Sequence, residues 1–530
     1  MGCVSGMDIT SRVIPERGRR LLPAVSALLL VCAFPPLHLL VPPFVALVPL
    51  TLWLTDLGAG EDASRCAFGG GTWFGFLYFG LLLHWIPIAL MSVMWWALPA
   101  YLGVVTILAF SAGAFAWAFH RMAYRNHMPV WVALPLAWTA FEWLRAHAPG
   151  ELAFPWLGLG TSLTGYPELV GSAEFVGTRG ITLWLALING LLAEAVRAAR
   201  TSGGARATAR WVTATVIVIG VPAGWGYFRA GTLPLRAIGE IAVVQPNVSE
   251  DGLDSRSRVD SALASLATLS PRLDGRSLEL VVWPEVTFPG SPELDGDLRR
   301  RVERETERWP APVVFGAIGR SFEGGVESLR FNSAFVAEGG EILPDFRYDK
   351  HRLVPLVERV PFAPQRWFNE AGDLGQYTRG RTWPLGKTAG GDRFGILICY
   401  ESTYTSHARR FRLEGADFLL NITNDAWFGR APWYSRTGAL WQHPAHLVMR
   451  AIENRMGIAR AANTGFSLFV NPLGVTYGRI DFLRADVSSE VVYTSDIRTL
   501  YTRTGDVAGS VAFLLTIGLV ASVRLRRRVA

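Results

Sequence analysis

The sequence predicts a multi-span α-helical membrane bundle of about eight helices joined to an α/β domain, and three observations carry that expectation. Half of the 530 residues are apolar and only 18% are charged, with a mean hydropathy of +0.25, whereas a soluble globular chain carries about 25% charged residues. Residues 21–120 hold just four charged side chains, Asp56, Glu61, Asp62 and Arg65, all within ten positions. The stretch from about 235 to 505 then changes character, to short runs rich in Val and Ile, each closed by a polar cluster. This balance excludes a disordered protein and argues against a purely soluble enzyme. Twenty Trp and 29 Phe agree with it, because aromatic rings collect in bilayer spans and at their interfaces.

A bilayer core about 30 Å thick takes roughly 20 apolar residues per helix. The 34-residue run Leu21–Leu54 is too long for one helix and tight for two. Its proline pairs, Pro35-Pro36 and Pro42-Pro43, break helices, so two short helices forming a hairpin are expected. Further spans are expected near 68–91, 98–119, 129–145, 180–196, 211–228 and 507–523. The chain then reads as seven spans in 1–234, an α/β domain over 235–505, and a last span with an Arg-rich tail over 506–530. An export signal is the other reading of a basic start before an apolar run. No small-x-small cleavage site follows here, and another apolar run comes at once.

The formal charge of +7 raises nucleic acid as a partner, but its distribution points to membrane orientation instead. Arg12, Arg17, Arg19 and Arg20 against Asp8 and Glu16 leave +2 at the start, and Arg524, Arg526, Arg527 and Arg528 give +4 at the end. Cytoplasmic loops are enriched in Lys and Arg. Arg121 and Arg125 in one expected inner loop, and Arg197, Arg200, Arg206 and Arg210 in another, fit a cytoplasmic N-terminus. An even span count then puts 235–505 outside the cytoplasm of a bacterial inner membrane. That sidedness depends on Leu21–Leu54 being two helices.

Within 235–505, the runs Ile241–Asn247, Leu280–Glu285, Phe394–Glu401 and Asp417–Asn424 read as buried strands, with helices over Arg256–Thr268 and Leu294–Glu307. Ligands of open α/β sheets bind beyond the carboxyl ends of the strands, where Asn247, Glu285, Cys399 and Asn424 lie. Each of these is also an ordinary turn residue when taken alone. Cys399 is either a buried structural thiol or a nucleophile. It is the one cysteine between 67 and 530, and an oxidising compartment favours the second reading. Among 51 basic residues only Lys350 and Lys387 are lysines. Either two survived by chance, or a compact ammonium is needed where a planar guanidinium cannot substitute. Glu285 either caps the next helix or serves as a general base. His443-x-x-His446 lacks a third ligand at suitable spacing and is expected to be a pair on a helix surface. No metal and no cofactor are expected.

Trp283-Pro284-Glu285, Tyr348-Asp349-Lys350-His351-Arg352-Leu353-Val354-Pro355 and Ile398-Cys399-Tyr400-Glu401 resemble the Glu–Lys–Cys motifs of the nitrilase, or carbon–nitrogen hydrolase, superfamily. Asn424-Asp425-Ala426-Trp427-Phe428-Gly429 and Ala462-Asn463-Thr464-Gly465, joined to a multi-span N-terminal half, look specifically like the bacterial apolipoprotein N-acyltransferase family. Phe141-Glu142-Trp143-Leu144-Arg145 and Phe154-Pro155-Trp156 agree. The resemblance covers nearly the whole chain, and the order of the motifs is more specific than any one of them.

The resemblance implies a four-layer α/β/β/α sandwich in which Glu285 is the general base, Lys350 the electrostatic stabiliser and Cys399 the nucleophile. Glu358, Tyr400, Glu401 and Asn424 would support them. It also implies a phospholipid acyl donor, with phosphatidylethanolamine expected, a thioester on Cys399, and a diacylated lipoprotein whose α-amine accepts the acyl chain. The partners would then be these two substrates and the lipid bilayer, with no nucleic acid. One departure is the loop Ser249–Arg256, which lacks the Lys and Trp that family members often carry there, so no substrate contact is carried over to it. A membrane-anchored nitrilase-type amidase would share the same three residues, but a hydrolase of soluble amides needs one anchor rather than eight spans. A transporter or receptor would hide ionisable residues at mid-depth, where 21–120 offers only His84.

Overall fold

The computed structural model describes residues 21–60, 62–91, 96–149, 152–249, 253–323, 326–359, 377–430 and 432–529. The N-terminal arginines 12, 17, 19 and 20, Met1-Gly2-Cys3, Glu61, positions 250–252 of the departing loop, and Val360-Pro361-Phe362 lie outside the described residues. The chain forms two compact units, one of Met1–His147, Phe154–Gly231 and Asp506–Ala530, the other of Ala148–Ala153 and Thr232–Gly505.

The first unit is helical: α1 (Leu22–Cys32), α2 (Pro42–Val45), α3 (Val48–Asp56), α4 (Ala63–Leu82), α5 (Trp85–Leu90), α6 (Ala97–Arg125), α7 (Val130–His147), α8 (Ala173–Ala199), α9 (Ala205–Thr232) and a C-terminal helix, Val507–Val529. Three of these, α6, α8 and α9, are long and apolar enough to cross a membrane, and α1 and Val507–Ser522 are shorter apolar helices. The apolar side chains of α9, among them Val212, Val216, Ile217 and Val221, are exposed, as lipid-facing residues would be. The run from Leu21 does break at its prolines. The stretch expected as one span over 68–91 also breaks, at Leu83-His84, where helix restarts ahead of Pro87. Proline lacks the N–H that a continuous helix would use and is tolerated in a first turn.

The two motifs singled out in this unit hold an irregular segment in place. The Oε1 of Glu142 accepts from Trp138 Nε1 at 3.0 Å and Leu159 N at 2.6 Å, while Oε2 accepts from Thr182 at 2.8 Å and Arg179 at 3.2 Å. Arg145 donates to the carbonyls of Trp156 and Leu157 at 2.8 and 2.9 Å. Buried charges persist when paired and fully hydrogen-bonded, and these satisfy backbone that no helix serves.

The second unit is an α/β sandwich of two six-stranded sheets, ordered β12-β1-β2-β3-β4-β5 and β11-β10-β9-β8-β7-β6. The first holds β1 (Arg236–Gln245), β2 (Leu280–Val282), β3 (Val313–Glu323), β4 (Val326–Glu338), β5 (Glu341–Asp349) and β12 (Asp486–Thr494). The second holds β6 (Gly386–Lys387), β7 (Arg393–Ile398), β8 (Phe418–Thr423), β9 (Ile458–Ala462), β10 (Ser467–Val470) and β11 (Thr476–Ile480). Each sheet is parallel at its centre, β1-β2-β3 and β7-β8-β9, and antiparallel towards its edges. Helices α10 (Ser255–Leu269) and α11 (Gly296–Thr306) bury Val259, Leu266, Leu298 and Val302 against Val244, Trp283 and Phe315 of the first sheet. Helices α12 (Thr405–Glu414) and α13 (Ala439–Asn454) pack on the second sheet, and β1 faces β9 across the sheet interface. Asp254, in the departing loop, caps α10 by accepting from Ser257 N at 2.8 Å.

Candidate active site

Parallel strands send their carboxyl ends the same way, and the loops that follow them carry the site. Trp283-Pro284-Glu285 follows β2, Lys350 follows β5, Cys399 follows β7, Asn424 follows β8 and Asn463 follows β9. Four non-glycine residues following β1, β2, β5 and β7 take left-handed backbone, Asn247 (φ 55°), Val286 (φ 45°), Leu356 (φ 68°) and Cys399 (φ 50°). Such conformations cost about 1–3 kcal/mol each and persist where the surroundings over-determine them. Gly316 on β3 makes room for the Glu285 turn, since a Cβ there would fall 2.4 Å from Val286 N and 2.7 Å from Glu285 Cα.

Lys350, 1% exposed, is the hub. Its Nζ donates to Glu285 Oε1 at 3.0 Å and to Glu358 Oε1 at 2.9 Å. Burial works against the positive charge, but the two carboxylates outweigh it and hold the ammonium well above its ordinary pKa. Asn332, on β4, spans the same pair, its Nδ2 donating to Glu285 at 2.7 Å and to Glu358 at 2.9 Å. The second oxygen of Glu285 accepts from Asn424 N at 2.9 Å, and that of Glu358 from Val354 N at 2.7 Å. Both carboxylates are therefore oriented by donors on either side.

Cys399 begins a 3₁₀ turn straight after β7 and is partly exposed. Burial pushes its thiol well above the ordinary range, and the Glu285 charge adds to this. Lys350 and a hydrogen bond from Thr423 pull the other way. The resting side chain is thus a neutral thiol close enough to Glu285 and Lys350 to feel both charges. Glu401 is wholly buried and ties the Cys399 turn to the Lys350 strand. It accepts from Ile398 N (2.8 Å), His351 N (2.6 Å), Arg352 N (3.2 Å) and Tyr348 OH (2.9 Å). Burial lifts it to about 7 against those donors. Tyr400 is buried, and its hydroxyl donates to Ala153 O at 3.4 Å.

The structure therefore brings Glu285, Lys350, Glu358, Cys399, Glu401 and Asn424 into one cluster. One partner escaped the sequence, and one expectation is corrected. Asn332 sits mid-strand in no motif; its one signal is an amide in the run Phe331-Asn-Ser-Ala-Phe-Val336. His443 and His446, expected on a helix surface, are 0% and 1% exposed. Helix α13 is buried along nearly its whole length, so it has no polar face for them. Among the described residues, no group of three or more metal-binding side chains forms.

The carbon–nitrogen hydrolase family matches residues 240–499, the span that holds this thiol, these carboxylates and the buried ammonium. The apolipoprotein N-acyltransferase N-terminal domain matches residues 26–191. An apolipoprotein N-acyltransferase of Rhizobium leguminosarum bv. trifolii is 30% identical, covering 89% of this chain and 90% of its own. That of Geobacter metallireducens is 28% identical over 97% of this chain and 96% of its own. A solved amidase from Nesterenkonia sp. aligns at a TM-score of 0.35 and 19% identity, covering 52% of this chain and 96% of that one. The chain belongs to the apolipoprotein N-acyltransferase family, membrane acyltransferases of the carbon–nitrogen hydrolase superfamily.

Proposed function

We propose that the protein N-acylates lipoproteins by two acyl transfers through Cys399, taking the chain from a membrane phospholipid such as phosphatidylethanolamine. Glu285 takes the thiol proton as the sulfur attacks the ester carbonyl, and Lys350 with a nearby backbone N–H offsets the charge on the tetrahedral oxygen. Collapse expels the lysophospholipid alkoxide, which recovers the proton from Glu285 and leaves a thioester. The α-amine of the lipoprotein's S-diacylglyceryl cysteine then attacks, Glu285 takes its proton, and the departing thiolate is reprotonated. The observation that carries this reading is the Lys350 ammonium held between Glu285 and Glu358 beside a strained cysteine. Excluding water from the thioester matters, because hydrolysis would waste the acyl group.

The arginine distribution and the apolar runs support seven spans in 1–234, a catalytic domain over 235–505 on the extracytoplasmic face of the bacterial inner membrane, and an eighth span after 506. The test is mass spectrometry of a diacylated lipopeptide incubated with phosphatidylethanolamine and the full-length protein. An added acyl chain is expected with the wild type and none with Cys399→Ala. Unchanged product from Cys399→Ala would overturn the assignment, and release of free fatty acid without transfer would favour an amidase-like hydrolase.

A further inference from the structure

Against the backbone of Cys399 lies a second buried ion network that the proposed chemistry does not use. Asp425 Oδ1 meets His443 Nδ1 at 3.0 Å, and Oδ2 accepts from Arg460 Nη2 at 2.5 Å. All three side chains are no more than 1% exposed. The guanidinium is fixed in turn by Phe466 O at 3.0 Å and by the side chain of Asn421. Gly465 lets the following turn close on Asp425, since a Cβ there would fall 2.2 Å from its Oδ2. His443 Nε2 then reaches Cys399 O at 3.1 Å.

The proton positions follow from the partners. A carbonyl only accepts, so Nε2 carries a hydrogen. Ser402 spends its own hydroxyl proton on the same carbonyl at 2.9 Å, so at 3.2 Å from Nε2 it too is an acceptor. Nδ1 lies against Asp425 Oδ1 at 3.0 Å and Arg460 Nη2 at 3.3 Å. The imidazole is a two-ended strut between a fixed carboxylate and the backbone of the nucleophile.

We infer that His443 is a positioning residue, holding the Cys399–Tyr400 peptide so that its N–H faces the oxygen that becomes negative during acyl transfer. The bond is trans, as the one cis peptide among the described residues is Pro35-Pro36. Carbonyl and N–H of a trans peptide point opposite ways. Pinning the carbonyl towards His443 and Ser402 therefore turns the Tyr400 N–H away from them. It also braces the left-handed φ that Cys399 adopts. Donors that act on an oxyanion need their orientation fixed before the charge develops.

The inference rests on Cys399 being the nucleophile, and the test separates the two. Full-length protein in detergent is given phosphatidylethanolamine carrying a fluorescent acyl chain, and the rate of acyl-enzyme formation is compared with the rate of Cys399 alkylation by iodoacetamide. Alkylation needs the thiol but no oxyanion donor. His443→Leu is expected to slow acylation about 100-fold at unchanged KM, with alkylation within about threefold of wild type. His443→Gln, which keeps an N–H for the carbonyl, is expected to recover about tenfold. Wild-type acylation by His443→Leu overturns the inference. So does a parallel loss of alkylation and acylation with Gln no better than Leu, which marks a general packing role. Acyl-enzyme persisting in Cys399→Ala defeats the nucleophile assignment itself, whatever His443 does.

Discussion

Replacing Lys350 by Met tests the electrostatic hub most directly, because Met keeps the length of the side chain and removes only its charge and donors. Two carboxylates lie 3.0 and 2.9 Å from Nζ. At an effective dielectric of about 20, each contact is worth roughly 5–6 kcal/mol of Coulomb energy. Most of that offsets the cost of taking three charges out of water. The measurable loss is the penalty for stranding Glu285 and Glu358 without a cation, about 3–5 kcal/mol. For a domain of this size that lowers the melting temperature by roughly 10 °C. Activity should fall further than stability implies, about 100- to 1000-fold in kcat, since the developing oxyanion loses its cation. The thiol also loses the group that draws its pKa down. The double variant Lys350→Met/Glu358→Gln separates the two roles. It carries one fewer stranded carboxylate, so much of the melting temperature should return while acyl transfer stays lost. Melting curves in detergent and the lipopeptide assay read the two quantities. A single variant that melts like wild type would show that the three side chains are not coupled. A double variant that regains transfer would refute the catalytic role of the ammonium.

Three further outcomes follow from contacts around this hub. Asn332→Leu removes two hydrogen bonds to charged oxygens, each worth about 1.5–3 kcal/mol. It should cut kcat about 10- to 100-fold in steady-state assays, and an unchanged kcat would show that Lys350 alone orients the carboxylates. Gly316→Ala places a methyl 2.4 Å from Val286 N, so the Glu285 turn must shift. A cost of about 1–3 kcal/mol and a kcat loss exceeding any change in KM are expected, and wild-type kinetics would contradict the close approach. Glu401 has its folded pKa raised from 4.5 to about 7 by burial. Its contribution to stability is therefore fully present below about 4.5 and lost as pH rises through about 7, a change of about 3 kcal/mol. Comparing pH-dependent melting of the wild type with Glu401→Gln isolates that component, and parallel curves would disprove it.

The parts of this architecture that sequence alone makes legible are those written in consecutive residues. Strands β2, β7 and β8 are short apolar runs ending in Glu285, Cys399 and Asn424, so an element and its site residue are read together. Lys350 stood out because arginine fills nearly every other basic position. What remained hidden depends on pairing across distance. Strands β4, β5 and β12, at or next to the edges of their sheet, carry charged residues such as Arg330, Arg347 and Glu490, so no apolar run marks them. Asn332 gains its meaning from two glutamates that are 47 and 26 residues away. The histidines of α13 were misplaced for a related reason. Three-residue spacing on a helix with polar neighbours suggests a wet face, yet Gln442, Arg450, Glu453 and Asn454 are all buried with them.

The two ion networks around Cys399 are suited to different parts of one problem. A cysteine that rests as a neutral thiol gains nothing from a permanent thiolate, which oxidants would attack. In the mechanism we propose it needs a cation that acts when charge appears on the substrate, and Lys350, paired with Glu285 and Glu358, would supply that without ionising the thiol beforehand. The geometry has to come from elsewhere, because a side chain balanced between two carboxylates cannot also hold the backbone of the nucleophile. Asp425, Arg460 and His443 meet that need with a buried network in which His443 ends on the Cys399 carbonyl. Changes to the first network should therefore alter how strongly negative charge is stabilised. A change at His443 should alter where the stabilising N–H points while leaving the thiol about as reactive towards a small alkylating agent as before.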